Sequence, residues 1–194
     1  CGEINFREKQ GEECVASAVD RILSIIRKKY QQYGVKDDPF VIVKADSGTY
    51  GMGIMTVKDG ADIYQLNRKQ RNKMAVVKEG MQVSNVLVQD GVYTFENINQ
   101  AVAEPVIYMI DRYVVGGFYR VHTGRGIDEN LNAPGMYFVP LAFETTCLVP
   151  NSAAQPNFIP NRFYAYGVVA RLALLAAALE LEQNVARTAI PLPA

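Results

Sequence analysis

Residues 41 to 57, VIVKADSGTYGMGIMTV, constrain this chain more than any other stretch. An apolar run ending in Lys44 meets three glycines, Gly48, Gly51 and Gly53, and a second apolar run follows. No GxxxxGK[ST] is present, so this is not a P-loop, and the G-x-x-G-x-G spacing reverses the dinucleotide fingerprint. A strand follows rather than a helix, so no helix N-terminus waits for a pyrophosphate. What remains is strand, lysine, glycine-rich hairpin, strand. Glycines let backbone N–H groups approach a polyphosphate closely, and a strand-end lysine aims a cation at the same place. The pattern points to nucleotide binding; the plainer alternative is a mobile surface hairpin.

The rest of the chain sets the class around that hairpin. Val15, Val19, Ile22, Leu23 and Ile26 recur at helical steps and predict an amphipathic helix over 12–33, with Gly34 as its C-terminal cap. Strands are expected at 40–44, 54–57, 74–77, 83–88 and 92–95, the last two across an Asp90-Gly91 turn. A helix is expected over 61–73, ending in the basic run RKQRNK, which reads as an exposed helix end. Residues 106–115 are the most strand-like run, Gly116-Gly117 is expected to turn it into a strand at 118–122, and 136–143 is a further strand. Loops are expected at 123–135 and 144–161, a final helix over 162–183, and a tail from 184. Tight turns between short strands make the sheets mostly antiparallel, hence α+β rather than a regular βαβ alternation.

With 49% hydrophobic residues and 20 basic against 20 acidic, a disordered chain and a general nucleic-acid binder are both excluded. The length of 194 residues suits one domain or a large piece of one. Residue 1 is Cys, not Met, so a portion of a longer protein is expected. Cys1, Cys14 and Cys147 have no CxxC spacing; neither a disulfide framework nor a zinc site is expected, and a reducing compartment is the simplest setting. Cys147 reads as a plain buried thiol. Residues 164–181 are apolar enough to raise a membrane span, but Arg171 and Glu180 favour a buried C-terminal helix.

Further candidates surround the hairpin. Lys78 closes MAVVK as Lys44 closes VIVK, and two lysines could neutralise phosphates from two sides. IDRYVVGGFYRVH, residues 110–122, supplies Asp111, Arg112 and Tyr113, then Arg120 and His122 on one strand face. These could line an anion cleft. His122, the one histidine, reads as structural.

Together these residues resemble the ATP-grasp pattern. More narrowly, KADSGTYGMGI, AEPVIYMIDRYVVGGFYRVH and FYAYGVVARLALLAAALELE resemble the proteobacterial type of glutamate–cysteine ligase, over about residues 6–183. The resemblance implies a lid-bearing subdomain at about 36–100, a main sheet and helix at 101–183, and a missing N-terminal portion. It implies an ATP-dependent carboxylate–amine ligase of the cytoplasm, with glutamate and cysteine as substrates, ATP and Mg²⁺ as cofactors, and neither nucleic acid nor membrane as partner. ATP would phosphorylate the γ-carboxyl of glutamate, and the amine of cysteine would displace phosphate from the acyl phosphate, the first step of glutathione synthesis. Lys44 and Lys78 would hold phosphates. Ser47, Gly48, Thr49, Tyr50, Gly51 and Gly53 would close as a lid. Asp111, Arg112 and Tyr113 would form an adenine hinge, and Arg120, with Lys44, would stabilise the transferring phosphoryl group. ATP-grasp enzymes place metal ligands on late strands as an acid and a Glu-x-Asn pair; no such pair is read in the last third of the chain, and Glu144 is the candidate ligand, with Asp128, Glu129, Asn130 and Asn132 in the preceding loop. Another ATP-grasp ligase, a nucleotide-binding module without ligase activity, and a purely structural α+β domain are the alternatives.

Overall fold

A computed structural model describes residues 1–47, 51–77, 80–141 and 162–188. The chain divides into two units, one of residues 1–102 and 122–136 and the other of residues 103–121 and 137–194.

The first unit is built on α1 (Glu12–Tyr33), which runs over the expected span. Its apolar face buries Val15, Val19, Leu23 and Ile26, Glu12 and Glu13 sit at the positive end of its dipole, and Gly34 caps it at φ 67°. The face packs on a three-stranded antiparallel sheet of order β2-β1-β3, with β1 at Val41–Ala45, β2 at Ile54–Val57 and β3 at Val86–Asp90. Alternation along β1 sends Val41, Val43 and Ala45 into this core and leaves Ile42 and Lys44 on the opposite face. Residues 61–73 are not one helix. A 3-10 helix spans Gly60–Gln65, and α2 (Arg68–Ala75) starts afresh behind the reciprocal Asn67–Gln70 capping box. Met74 and Ala75 therefore end α2 instead of opening a strand, and only Val76 makes a single bridge, to Gln82.

The Asp90-Gly91 hairpin is also corrected. Residues 91–95 form no strand, because Gly91 donates its N–H to the Phe40 carbonyl and Phe40 lies over it, edge-on to Tyr93 at 4.8 Å. A Cβ at Gly91 would sit 2.1 Å from the Phe40 ring. Gly91→Ala is expected to overpack this buried site and lower stability by about 1–3 kcal/mol, read by urea denaturation. An unchanged midpoint would contradict that packing.

Cys1 and Cys14 form a disulfide, with Cα atoms 6.2 Å apart, which corrects the expectation that none forms. Residue 1 is held beside β3 by two hydrogen bonds with Val86, and Cys14 lies in the first turn of α1. Three cysteines without a spacing motif do not reveal such a neighbourhood. Cys147 lies outside the described residues.

A second sheet has the order β4-β5-β6-β7, with β4 at Glu96–Ile98, β5 at Ala101–Ile110, β6 at Tyr113–His122 and β7 at Tyr137–Pro140. The turn between β5 and β6 is Asp111-Arg112, not Gly116-Gly117. Asp111 takes φ 53°, a conformation that Asp tolerates better than most residues. The two glycines lie inside β6. At Gly117 a Cβ would stand 2.9 Å from the Val106 carbonyl, so this glycine serves close packing rather than turning.

The final helix, α3 (Phe163–Thr188), is present, but it is not buried among the described residues. Phe163 is covered, whereas Val169, Leu172, Leu175, Leu179 and Leu181 are exposed. By length and composition alone Phe163–Asn184 could cross a membrane, with a mean hydropathy of 1.5. The architecture is helices with antiparallel sheets, the expected α+β class.

Candidate functional site

Lys44 stands at the end of β1, half-buried on the face away from α1. It pairs with Ile54 of β2 and Leu87 of β3, and Ile42 pairs with Thr56 and Gln89. Alternation thus puts Lys44, Ile54, Thr56 and Leu87 on one open sheet face. Among the described residues no acid pairs with Lys44.

The glycine-rich hairpin joins β1 to β2. Gly53 at φ 64° accepts a hydrogen bond from Ala45 N–H at 2.9 Å, closing the base of the hairpin. Gly51 at φ 72° touches the 123–135 loop: a Cβ there would lie 2.5 Å from the Asn132 carbonyl oxygen. Ser47 is exposed in the turn after β1. Gly48, Thr49 and Tyr50 lie outside the described residues, as do Lys78 and Glu144.

The 123–135 loop is held against β2 by bonds that span long stretches of sequence. Thr56 Oγ1 donates to the Asp128 carbonyl at 2.9 Å, Lys58 Nζ meets Asp128 Oδ2 at 2.8 Å, and Thr94 N–H donates to the Ile127 carbonyl at 2.8 Å. Within the loop, Glu129 accepts from Arg125 and from Gly126 N–H, both at 2.7 Å. Buried His122 closes the loop's ends: Nδ1 accepts from Gly124 N–H, and Nε2 lies 3.0 Å from the Pro134 carbonyl. Both ring nitrogens are engaged, in keeping with a structural histidine. Of these loop anchors the sequence candidates included only His122, read as structural, and Asp128 and Glu129, noted there only as possible metal ligands. The signal was the dense Asp-Glu-Asn-Leu-Asn run, whose side chains fold back on their own backbone.

Between the hairpin, β2, α2 and this loop lies a cavity of about 950 Å³, lined by Gly51, Ile54, Thr56, Met74, Arg125 and Asn130 among others. That volume is at the upper end of small-molecule sites, about 300–1,000 Å³. Apolar walls with a few convergent amides and cations suit a ligand that is part ring and part charged group.

The loop clamp responds to pH. Lys58 donating to it holds the Asp128 carboxyl below its ordinary 3.8. The Gly126 N–H, helped by Arg125, holds Glu129 below its ordinary 4.5. Asp128 in turn holds Lys58 above its ordinary 10.5. Carboxyls with depressed pKa stabilise the folded loop above their unfolded values, and that contribution fades as pH falls through the folded ones. The lysine's contribution is complete below 10.5 and fades as pH rises through the raised value. The protection of residues 123–135, their exchange rate relative to that of the unfolded chain at the same pH, is therefore expected to fall below about pH 4 and again at strongly alkaline pH. Asp128→Asn should remove the alkaline response; if it stays, another group holds the loop.

The remaining candidates lie in the second unit. Arg120 is on β6 and pairs with Glu104 of β5, and its Nε has no hydrogen-bond partner among the described residues. Asp111 and Arg112 are the exposed turn itself and Tyr113 opens β6, so the continuous strand on which an adenine hinge was expected is not formed there. Arg112 stacks over the Tyr113 ring at 5.4 Å.

No three His, Cys, Asp or Glu side chains converge among the described residues, so these residues alone make no metal cage. A Glu-x-Asn pattern that the sequence reading passed over does occur, at Glu182 and Asn184, but on α3. Residues two apart on a helix point to different sides, so the pair cannot share one ion.

The chain matches the family model described as glutamate-cysteine ligase over residues 1–181. It is also similar to a solved structure from Methylobacillus flagellatus KT described as "Putative gamma-glutamylcysteine synthetase", at 67% identity and a TM-score of 0.72. That likeness covers 95% of this chain and 43% of the other, so the chain spans less than half the length of the structure it resembles. No curated protein matches it. A family match across nearly the whole chain, joined to a 67% identical structure, places this chain in the glutamate–cysteine ligase family.

Proposed function

We propose that the whole protein is an ATP-dependent glutamate–cysteine ligase, and that this chain supplies its ATP-grasp-like nucleotide site. The observation that carries the reading is that Lys44 shares one sheet face with Ile54 and Thr56, two residues that line the cavity of about 950 Å³ beside the glycine-rich hairpin, although Lys44 is not itself in the lining. Phosphoryl transfer asks mainly for positioning and for neutralising charge that spreads over the phosphoryl oxygens. Lys44 does the second with a fixed strand-end cation. The hairpin, Ser47 to Gly53, covers the phosphates with backbone N–H groups that glycine leaves accessible. The family resemblance would give Lys78 a role at the phosphates beside Lys44, Arg120 a role toward the acyl phosphate, and Asp111, Arg112 and Tyr113 a role toward ribose and base.

In the proposed reaction a γ-carboxylate oxygen of glutamate attacks the terminal phosphorus of ATP and ADP leaves. The neutral amine of cysteine then attacks the acyl carbon, loses a proton, and expels inorganic phosphate. Mg²⁺ accompanies the ATP phosphates, where one or two carboxylates suffice, and Glu144 is the candidate. In this reading the lid-bearing subdomain is about 36–100, and 101–183 is the main sheet with the C-terminal helix. A cytoplasmic setting is what the resemblance implies, whereas the Cys1–Cys14 disulfide is of the kind that a reducing compartment keeps open.

The test follows an oxygen atom. Glutamate labelled with ¹⁸O in its γ-carboxyl should pass one label to the released phosphate, and ADP release should need both amino acids. ADP release that ignores glutamate and cysteine, or unlabelled phosphate beside amide product, would overturn the reading.

A further inference from the structure

Three arginines with no acidic partner among the described residues converge on the other side of α2. Arg7, Arg68, Arg71 and Asn72 line a separate cleft of about 230 Å³. Arg7 arrives on the N-terminal turn, where buried Ile4 and Phe6 anchor the chain and Asn5 Oδ1 accepts its N–H at 3.1 Å. Arg68 and Arg71 are three apart on α2 and so share one helix face. Arg71 is fixed further by donating Nη1 to the Leu66 carbonyl. None of the three arginines forms an ion pair among the described residues, although Glu8 is next in chain to Arg7.

Two separate costs meet here. Like charges three apart on a helix repel. In addition, the first turn of α2 carries Arg68 and no acid, which opposes the helix dipole. One bound anion would offset both. The size favours a small anion: about 230 Å³ is below the 300–1,000 Å³ usual for drug-sized ligands and is ample for a single tetrahedral oxyanion. Guanidinium forks match phosphate oxygens in pairs, which a lysine cluster would not. We propose that Arg7, Arg68 and Arg71 form a phosphate-binding site separate from the nucleotide cavity, with Asn72, which lines both, as the shared wall. Its ligand is free phosphate or the phosphoryl group of a small monoester. The proposal does not depend on the ligase reading.

The experiment is a thermal-shift titration of the whole protein with inorganic phosphate at constant ionic strength, in parallel with glycerol phosphate. A saturable rise in Tm with phosphate, and none with chloride, is expected. Arg7→Ser with Arg68→Ser should weaken phosphate binding by roughly tenfold or more for each arginine lost. The same double variant should leave ligase turnover without added phosphate unchanged. Lys44→Met should keep the phosphate response, which separates this site from the nucleotide site. Should the double variant fold poorly by circular dichroism, Arg68→Gln is the substitute. Tighter binding of the monoester would assign the site to a phosphorylated metabolite; tighter binding of phosphate would assign it to the free ion. An equal rise with chloride, a double variant that binds like the parent, or a response lost only with Lys44→Met would overturn the proposal.

Discussion

Lys44→Met in the whole protein should lower kcat/KM for ATP by roughly 10²–10³-fold, the cost of removing one preorganised charge-stabilising donor. Stability should change little. Lys44 is half-buried at a strand end, and methionine keeps the apolar stem that packs beside Ile54 and Leu87. The charge is what is lost, and its removal leaves no acid unpaired among the described residues. Two measurements separate the cases. Steady-state ADP release gives the kinetic loss. A thermal shift with an ATP analogue tests binding, since a ligand at 100 times its Kd adds about 2.7 kcal/mol to the folded state. Parent-like turnover and an unchanged thermal response together would remove Lys44 from the site. A lower Tm without nucleotide would show instead that the lysine is structural.

The place of Lys44 at the end of a strand before a hairpin was legible in sequence because the signal is local. A short apolar run, a lysine and closely spaced glycines mark a strand and its turn, and strand alternation then chooses the face. The same holds for α1, whose 3.6-residue period and capping glycine mark both ends. The β5–β6 hairpin was misread for a physical reason. Gly116-Gly117 looks like the stronger turn, yet both strands are ten residues long and balance about Asp111-Arg112. Asp supplies the left-handed backbone there, and Gly117 instead admits the neighbouring strand and Phe163. The 61–75 region was misread because two caps, Asp59 and Asn67, divide one polar stretch into two short helices. The apolar 164–181 run was read as buried, although its hydropathy says nothing about whether a partner covers it. Least legible was the wall of the cavity formed by the 123–135 loop. Its anchors join Thr56 and Lys58 to Asp128, about seventy residues on, and no periodicity or motif encodes a contact of that range.

That wall makes Gly51→Ala the most informative change after Lys44. Gly51 has φ 72°, and an added Cβ would stand 2.5 Å from the Asn132 carbonyl oxygen and 2.7 Å from the Asn130 amide nitrogen. The left-handed backbone alone costs an alanine about 1–2 kcal/mol. The clash is with backbone, so a side-chain rotation does not relieve it: either the hairpin or the loop must move. The loop is tied down at Asp128, Ile127 and His122, so the hairpin is the part that gives way. A shift of about 1 Å in a positioning element can cost 10²-fold in rate, so turnover is expected to fall by roughly 10–100-fold. The loop clamp itself should survive, with hydrogen exchange at residues 123–135 unchanged at neutral pH. Gly53→Ala provides the contrast, because its Cβ would meet Ala45 and Val77 side chains at 3.1 Å, and its effect should be mainly on stability. If Gly51→Ala turns over like the parent, the hairpin tip is not a wall of the working site. If exchange in the loop quickens as well, then the loop yields instead, and the clamp through Asp128 is weaker than its bonds suggest.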